Sequence, residues 1–160
     1  MEIAAHLVAE LLRRWPIARL ATVRPDGAPH LVPIVFVEVD RLIWSPIDAK
    51  PKPDRTPVRV RNLRAEPRAS LLLDAWEQDW SQLWWLRIDA SATALSGAQL
   101  QTSDEYAEVR AALVRKYPQY GEIATFRSEP TLLRITPLRR ASWCASPAAL
   151  AALERSLRET

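Results

Sequence analysis

The sequence predicts a mainly β fold, an antiparallel split β-barrel with short helices set between its strands. Three observations carry this expectation. Strand-favouring residues come in pairs joined by short turns, which is the text of hairpins and not of βαβ units. Helical stretches between the pairs are brief, with an amphipathic segment at either end of the chain. The 160 residues, 48% hydrophobic and 26% charged, have the size and composition of one soluble domain with a sizeable core.

In chain order, Glu2 to Arg14 sets Ile3, Leu7, Val8, Leu11 and Leu12 on one helical stripe, an amphipathic lid that Pro16 ends. Ile17 to Val23 reads as a strand. Arg24-Pro25-Asp26-Gly27 supplies turn chemistry, and the β-branched run Pro29 to Val39 returns as a second strand. A third follows at Leu42-Ile43-Trp44 and stops at Ser45-Pro46. The stretch Ile47 to Arg55 is loop, and Thr56-Pro57 reads as an N-cap with proline at the first helical position of a helix reaching Ala65.

Arg68 to Ala75 and Leu83 to Leu95 are two further strands. Thr102 and Glu105 have capping-box spacing, and Tyr106, Val109, Ala112 and Leu113 then recur at helical intervals as far as Tyr117-Pro118. Strands are expected at Glu122 to Phe126 and Thr131 to Thr136, an extended stretch at Pro137 to Cys144, and a last helix behind Ser146-Pro147. This makes one domain: an N-terminal helix over 1–15, a barrel with inserted helices over 17–144, and a C-terminal helix over 147–160.

Several function classes drop out. No apolar run approaches the ~18 residues of a membrane span, and no basic segment leads into an apolar core as in a secretory signal, so a cytoplasmic protein is expected. Cys144 is the only thiol, which excludes an internal disulfide, and it reads as a buried, inert residue. With His6 and His30 as the only histidines, no metal site is expected. Gly27, Gly97 and Gly121 stand too far apart for a glycine-rich phosphate loop. A bound phosphate must therefore be held by side chains or by a helix N-terminus.

The charge distribution points the same way. Net charge is only +3, yet residues 50 to 68 hold seven basic residues (Lys50, Lys52, Arg55, Arg59, Arg61, Arg64, Arg68) against Asp54 and Glu66, a local +5. Residues 69 to 108 compensate with seven acids against Arg87 alone. So local an asymmetry suits a small anionic ligand better than a long polyanion, and neither nucleic acid nor a membrane is expected as a partner. Binding of single-stranded nucleic acid by a basic, tryptophan-rich barrel is the most distant alternative.

The segment RLATVRPDGAPHLVPIVF at 19–36 resembles the opening hairpin of the pyridoxamine-phosphate-oxidase-like, FMN-binding split barrels. VRVRNLRAEPRASLLLDAW at 58–76 is similar to that family's helix-then-strand block, and LLRITPLRRASW at 132–143 to the strand pair that closes its barrels. Within the family, SPIDAKPKPDRTPVRVRNL at 45–63 looks like the deazaflavin-dependent subgroup. The resemblance implies a homodimer in which reduced coenzyme F420, or alternatively FMN, lies in a groove between the chains and exchanges hydride with a small-molecule substrate. A redox-idle flavin or haem binder of the same fold is a further alternative.

It also implies a set of cofactor-binding residues: Pro33, Ser45, Lys50, Lys52, Arg55, Arg59, Arg61, Trp76 and Trp143. Arg59, four positions before the Leu63 of the Asn-Leu pair, stands where the family grips the flavin phosphate. The second-strand arginine of the FMN enzymes falls here on Val32 or Pro33, and their lysine is replaced near Phe36. That departure leaves the phosphate to Lys50, Lys52, Arg55 and Arg59. No nucleophile and base stand out, as expected where a cofactor carries the chemistry. His30 reads as a structural strand histidine, Trp15 and Trp44 as filling for the barrel, and Trp84 and Trp85 as pointing to opposite faces of one strand.

Overall fold

The computed structural model of the chain describes residues 1–47, 56–97, 100, 104–121 and 131–159. Helix α1 (Ala5–Arg14) leads into strands β1 (Ala18–Val23), β2 (Pro29–Ile34), β3 (Val37–Val39) and β4 (Leu42–Pro46). Helix α2 (Val58–Ala65) precedes β5 (Arg68–Ala75) and β6 (Trp84–Ser96). Helix α3 (Asp104–Lys116), strand β7 (Thr131–Cys144) and helix α4 (Pro147–Glu159) complete the order. The expected strand at 122–126 and the expected cap at Thr102 lie outside the described residues.

The strands form one seven-stranded antiparallel sheet in the order β2-β1-β5-β6-β7-β4-β3, the split barrel the sequence predicts. Its closure corrects one expectation. The run Pro29 to Val39 is two strands at opposite ends of the sheet order, joined through Val35 and Phe36 alone. No turn residue marks the break; tertiary contact does. Phe36 is fully buried and its N–H donates to the Tyr117 hydroxyl at 3.1 Å. That hydroxyl lies 2.9 Å from the Phe36 carbonyl and 2.8 Å from that of Pro16, so it serves backbone groups no ladder reaches.

Strand β7 is a second correction, because the two segments expected at 131–136 and 137–144 form one continuous strand. Asp89 pairs with Arg139 and Ala90 with Pro137, leaving Leu138 as the extra residue of a bulge, exposed on the surface. Proline is accommodated there, and on β2, which ends the sheet, for the same reason: no ladder bond is forfeited.

Helix boundaries shift locally. Helix α1 starts at Ala5 and not Glu2, because the first residues run beside β7: the Cys144 N–H donates to the Met1 carbonyl at 2.8 Å, and the Ile3 N–H to Ser142 Oγ at 3.0 Å. Helix α2 starts at Val58 because Pro57 keeps an extended backbone, so Pro57 takes the cap position and no side chain among the described residues caps the first turn. Ser146 does cap α4, accepting from the Ala149 N–H at 3.0 Å.

Two buried clusters hold the chain together. The larger fills the barrel with inward residues such as Leu20, Ile43, Leu71, Leu86 and Ile135, closed off by Leu11 and Leu12 of α1 and Leu153 and Leu157 of α4. Trp15 packs edge-on against Trp84 there, 4.8 Å between ring centroids. Trp44 does not fill the barrel. Side chains alternate along β4, so Ile43 faces inward and Trp44 faces outward, into a second cluster under Tyr106, Val109 and Leu113 of α3.

Candidate functional site

One polar corner interrupts the barrel interior. Thr22 lies opposite His30 in the β1–β2 register, and both fall on the strand faces that turn inward with Leu20 and Ile34. Asn62 of α2 donates from Nδ2 to Thr22 Oγ1 at 3.0 Å, and both residues are 2% exposed. This bond docks the helix on the strand. Leu63 is buried beside it, and Arg59, one helical turn earlier, is half-buried.

His30 gathers the charges. Its Nδ1 is buried with no hydrogen-bond partner among the described residues. Burial, then the positive charges of Arg24 in the β1–β2 turn and Arg59 on α2, hold its pKa below the ordinary histidine value. Charge from a turn and from a helix thus reaches an imidazole on a strand, and the first turn of that helix carries no side-chain cap among the described residues. An anion there would meet charge-assisted donors and a helix N-terminus together.

The other expected residues are placed as follows. Arg61 is exposed and, two positions beyond Arg59, faces away from it. Ser45 is 1% exposed on the Ile43 side of β4, with its hydroxyl unpartnered among the described residues. Pro33 is exposed on the outer face of β2, opposite Arg19. Lys50, Lys52 and Arg55 lie outside the described residues. His30, Arg24, Thr22 and Asn62 are the members that sequence reasoning passed over. The cross-strand pairing of Thr22 with a histidine, and the Asn-Leu pair itself, were the available signals.

Trp76 and Trp143 sit elsewhere, on the outer face of the sheet. Trp85 pairs across strands with both Asp74 and Trp143, and with Trp76, Leu72 and Arg87 these residues line a groove of about 400 Å³. Trp76 and Trp80 are each 70% exposed, their rings 6.4 Å apart. Trp84 faces the core and Trp85 the groove, as strand alternation requires. Paired charges border the patch: Arg19 with Asp74, and Arg139 with Asp89 at 2.9 Å. The corner lies by Ala69 and the groove by Ala75, roughly 20 Å apart along β5. One chain does not bring Arg59 and Trp143 together.

Among the described residues no group of histidine, cysteine and carboxylate side chains is placed to hold a metal ion, and no helix is long and apolar enough to cross a membrane. Cys144 is fully buried.

A family model described as pyridoxamine 5'-phosphate oxidase matches residues 5–144. No curated protein matches the sequence. Among solved structures, the chain is similar to a conserved hypothetical protein from Mycobacterium tuberculosis, with a TM-score of 0.69 at 22% identity over 89% of this chain and 86% of that one. It is also similar to the haem storage protein HutZ from Vibrio cholerae, with a TM-score of 0.67 at 19% identity over 90% and 95%. An F420 reductase matches with a TM-score of 0.55 at 18% identity over 82% and 93%. At these identities the likeness is one of fold.

Proposed function

This chain belongs to the pyridoxamine 5'-phosphate oxidase family, and from that premise we propose that it is a flavin-type oxidoreductase that uses coenzyme F420. The observation that carries this reading is the corner of Arg24, His30 and Arg59, where the charges of two guanidinium groups act on a histidine whose Nδ1 is buried and has no hydrogen-bond partner among the described residues. Its residues fit a phosphate. Arg59 would pair with the phosphate oxygens, His30 would donate from its ring, and the uncapped turn of α2 would add backbone N–H groups. Lys50, Lys52 and Arg55 belong to this reading as the holders of an acidic tail.

Coenzyme F420 is favoured over FMN because Val32 and Pro33 offer no charge where FMN enzymes of the family use a second-strand arginine. The similar fold of an F420 reductase supports the same choice. A bound reduced deazaflavin supplies the hydride. The chain's own task is then to orient ring and acceptor and keep water from them.

The ring-covering surface comes, on this reading, from a second copy. One chain keeps the corner and the tryptophan groove apart, so a twofold-related copy would have to bring its own groove to the mouth of this chain's corner. Three exposed or half-exposed tryptophans in one patch match such a shared site. Titrating the purified protein with coenzyme F420 and with FMN, followed by absorbance, tests the assignment. Micromolar binding of the deazaflavin with weaker binding of FMN is expected. A preparation already yellow with FMN reassigns the cofactor, and binding of neither refutes the reading.

A further inference from the structure

The tryptophans of this chain are gathered at one place. Six of the seven, all but Trp44, lie on or beside the connection from β5 to β6, and the outer-face groove does not account for all of them. Trp15 and Trp84 border a second recess, of about 190 Å³, between this connection and helix α4. Ala152, Leu153 and Ser156 of α4 line it from one side, and Glu77 and Gln82 of the connection from the other. The space equals roughly six water volumes.

The walls restrict what fits. Trp84 is 5% exposed and Trp15 half-buried, and their rings stand at 78° with centroids 4.8 Å apart. The inner corner of such a T is walled by a face of each ring, and aromatic faces attract cations. Among the described residues Glu77 is the one charged member of the lining, and it makes no ion pair with any of them. From Ala75 to Leu86 the sequence holds neither lysine nor arginine. A bare metal ion would require several oxygen ligands, whereas indole, alanine and leucine dominate this lining. A fully methylated ammonium needs no hydrogen-bond acceptor, spreads its charge over carbon and can bury its methyl groups against such walls.

We propose that this recess binds a small, free quaternary ammonium compound of the choline type, its methylated head against Trp15 and Trp84 and its charge balanced by Glu77. The same head attached to a phosphate, as in a lipid headgroup, would bring an anion towards Glu77 and is disfavoured. The site uses neither the Arg59 corner nor the Trp85–Trp143 pair, so it stands apart from the cofactor reading.

Titrating the intact protein with choline, while NMR follows the indole N–H signals of the tryptophans, tests this. The Trp15 and Trp84 signals are expected to shift most, and the choline methyl signal to move upfield, with a dissociation constant in the low millimolar range. Dimethylbutanol, the neutral carbon isostere of choline, should bind at least about 10-fold more weakly, and phosphocholine should also bind more weakly than choline. Glu77→Gln, at an exposed position, should weaken choline binding roughly 2- to 5-fold and leave the isostere unaffected. An absence of shifts at about 50 mM choline would overturn the proposal, as would shifts centred on Trp76 and Trp143. Equal binding of choline and its isostere would reduce the recess to an apolar dent, and equal binding of phosphocholine would remove Glu77 from it; either overturns the assignment too.

Discussion

The polar corner and the tryptophan face are built largely from the same strands, yet they solve opposite problems. Thr22, His30 and Asn62 put polar atoms inside a barrel filled mostly with apolar side chains, and the Asn62–Thr22 bond offsets much of the cost of burying two of them. Trp76, Trp80, Trp85 and Trp143 put large apolar rings outside, where they stay at least partly open to solvent. The corner gathers positive charge, and the face leaves apolar rings exposed. On the proposed reading a ligand would occupy the first and a second copy would cover the second, and their separation along β5 is why that reading calls on two chains.

The largest expected effect strikes the outer face. Truncating a central tryptophan of an interface costs about 2–4 kcal/mol, so Trp85→Ala should raise the dissociation constant of the proposed dimer roughly 30- to 1000-fold. Sedimentation over a range of concentrations reads this directly. A wild-type chain that is already a monomer at micromolar concentration would leave the two regions unconnected.

Next comes the corner itself. A guanidinium–phosphate bond is worth about 1.5–3 kcal/mol, and Arg59→Ala should weaken cofactor affinity about 10- to 150-fold with little change in folding. Calorimetric titration of wild type and variant decides it. Equal affinities would take Arg59 out of the site.

The support beneath the corner can be broken separately. Thr22→Ala strands the buried Asn62 amide and should cost about 1–3 kcal/mol in denaturant unfolding, and the pair Thr22→Val with Asn62→Leu should recover most of that loss. If the single change is silent, α2 is docked by Leu63 and Val60 alone.

The smallest effect is the most diagnostic. The pKa of His30 in the fold lies below its unfolded value of 6.5, so the fold prefers the neutral ring. Its contribution to stability is complete above that unfolded value and is lost as pH falls through it towards the folded pKa. By NMR, Arg59→Ala should move the His30 pKa upward, and so should added phosphate. An unmoved titration would place the two side chains in separate surroundings.

Much of this was legible in the sequence through local rules. Alternation along β1, β5 and β6, the Gly27 turn with its positive φ, Pro16 after α1 and the Ser146 cap each act within a few residues, and each appears where expected. The Asn-Leu pair located Arg59 for the same reason, since one helical turn fixes its distance from Leu63. Where the reading failed, the deciding contact came from far along the chain. The break between β2 and β3 depends on Tyr117, some eighty residues after Phe36. The outward turn of Trp44 depends on α3 offering it a surface.

The sequence by itself determined which residues alternate, which segments turn and where positive charge accumulates, because side-chain periodicity and backbone preference are properties of neighbours. Only the tertiary structure decided which charges meet. His30 reads as an ordinary strand histidine until the charges of Arg24 and Arg59 reach it, and Lys116 as an ordinary helix-end lysine until it is buried against the Phe36 ring and the Leu12 carbonyl. Proton affinity here is set by solvent exclusion and by charges brought from separate elements, and neither quantity exists in the extended chain.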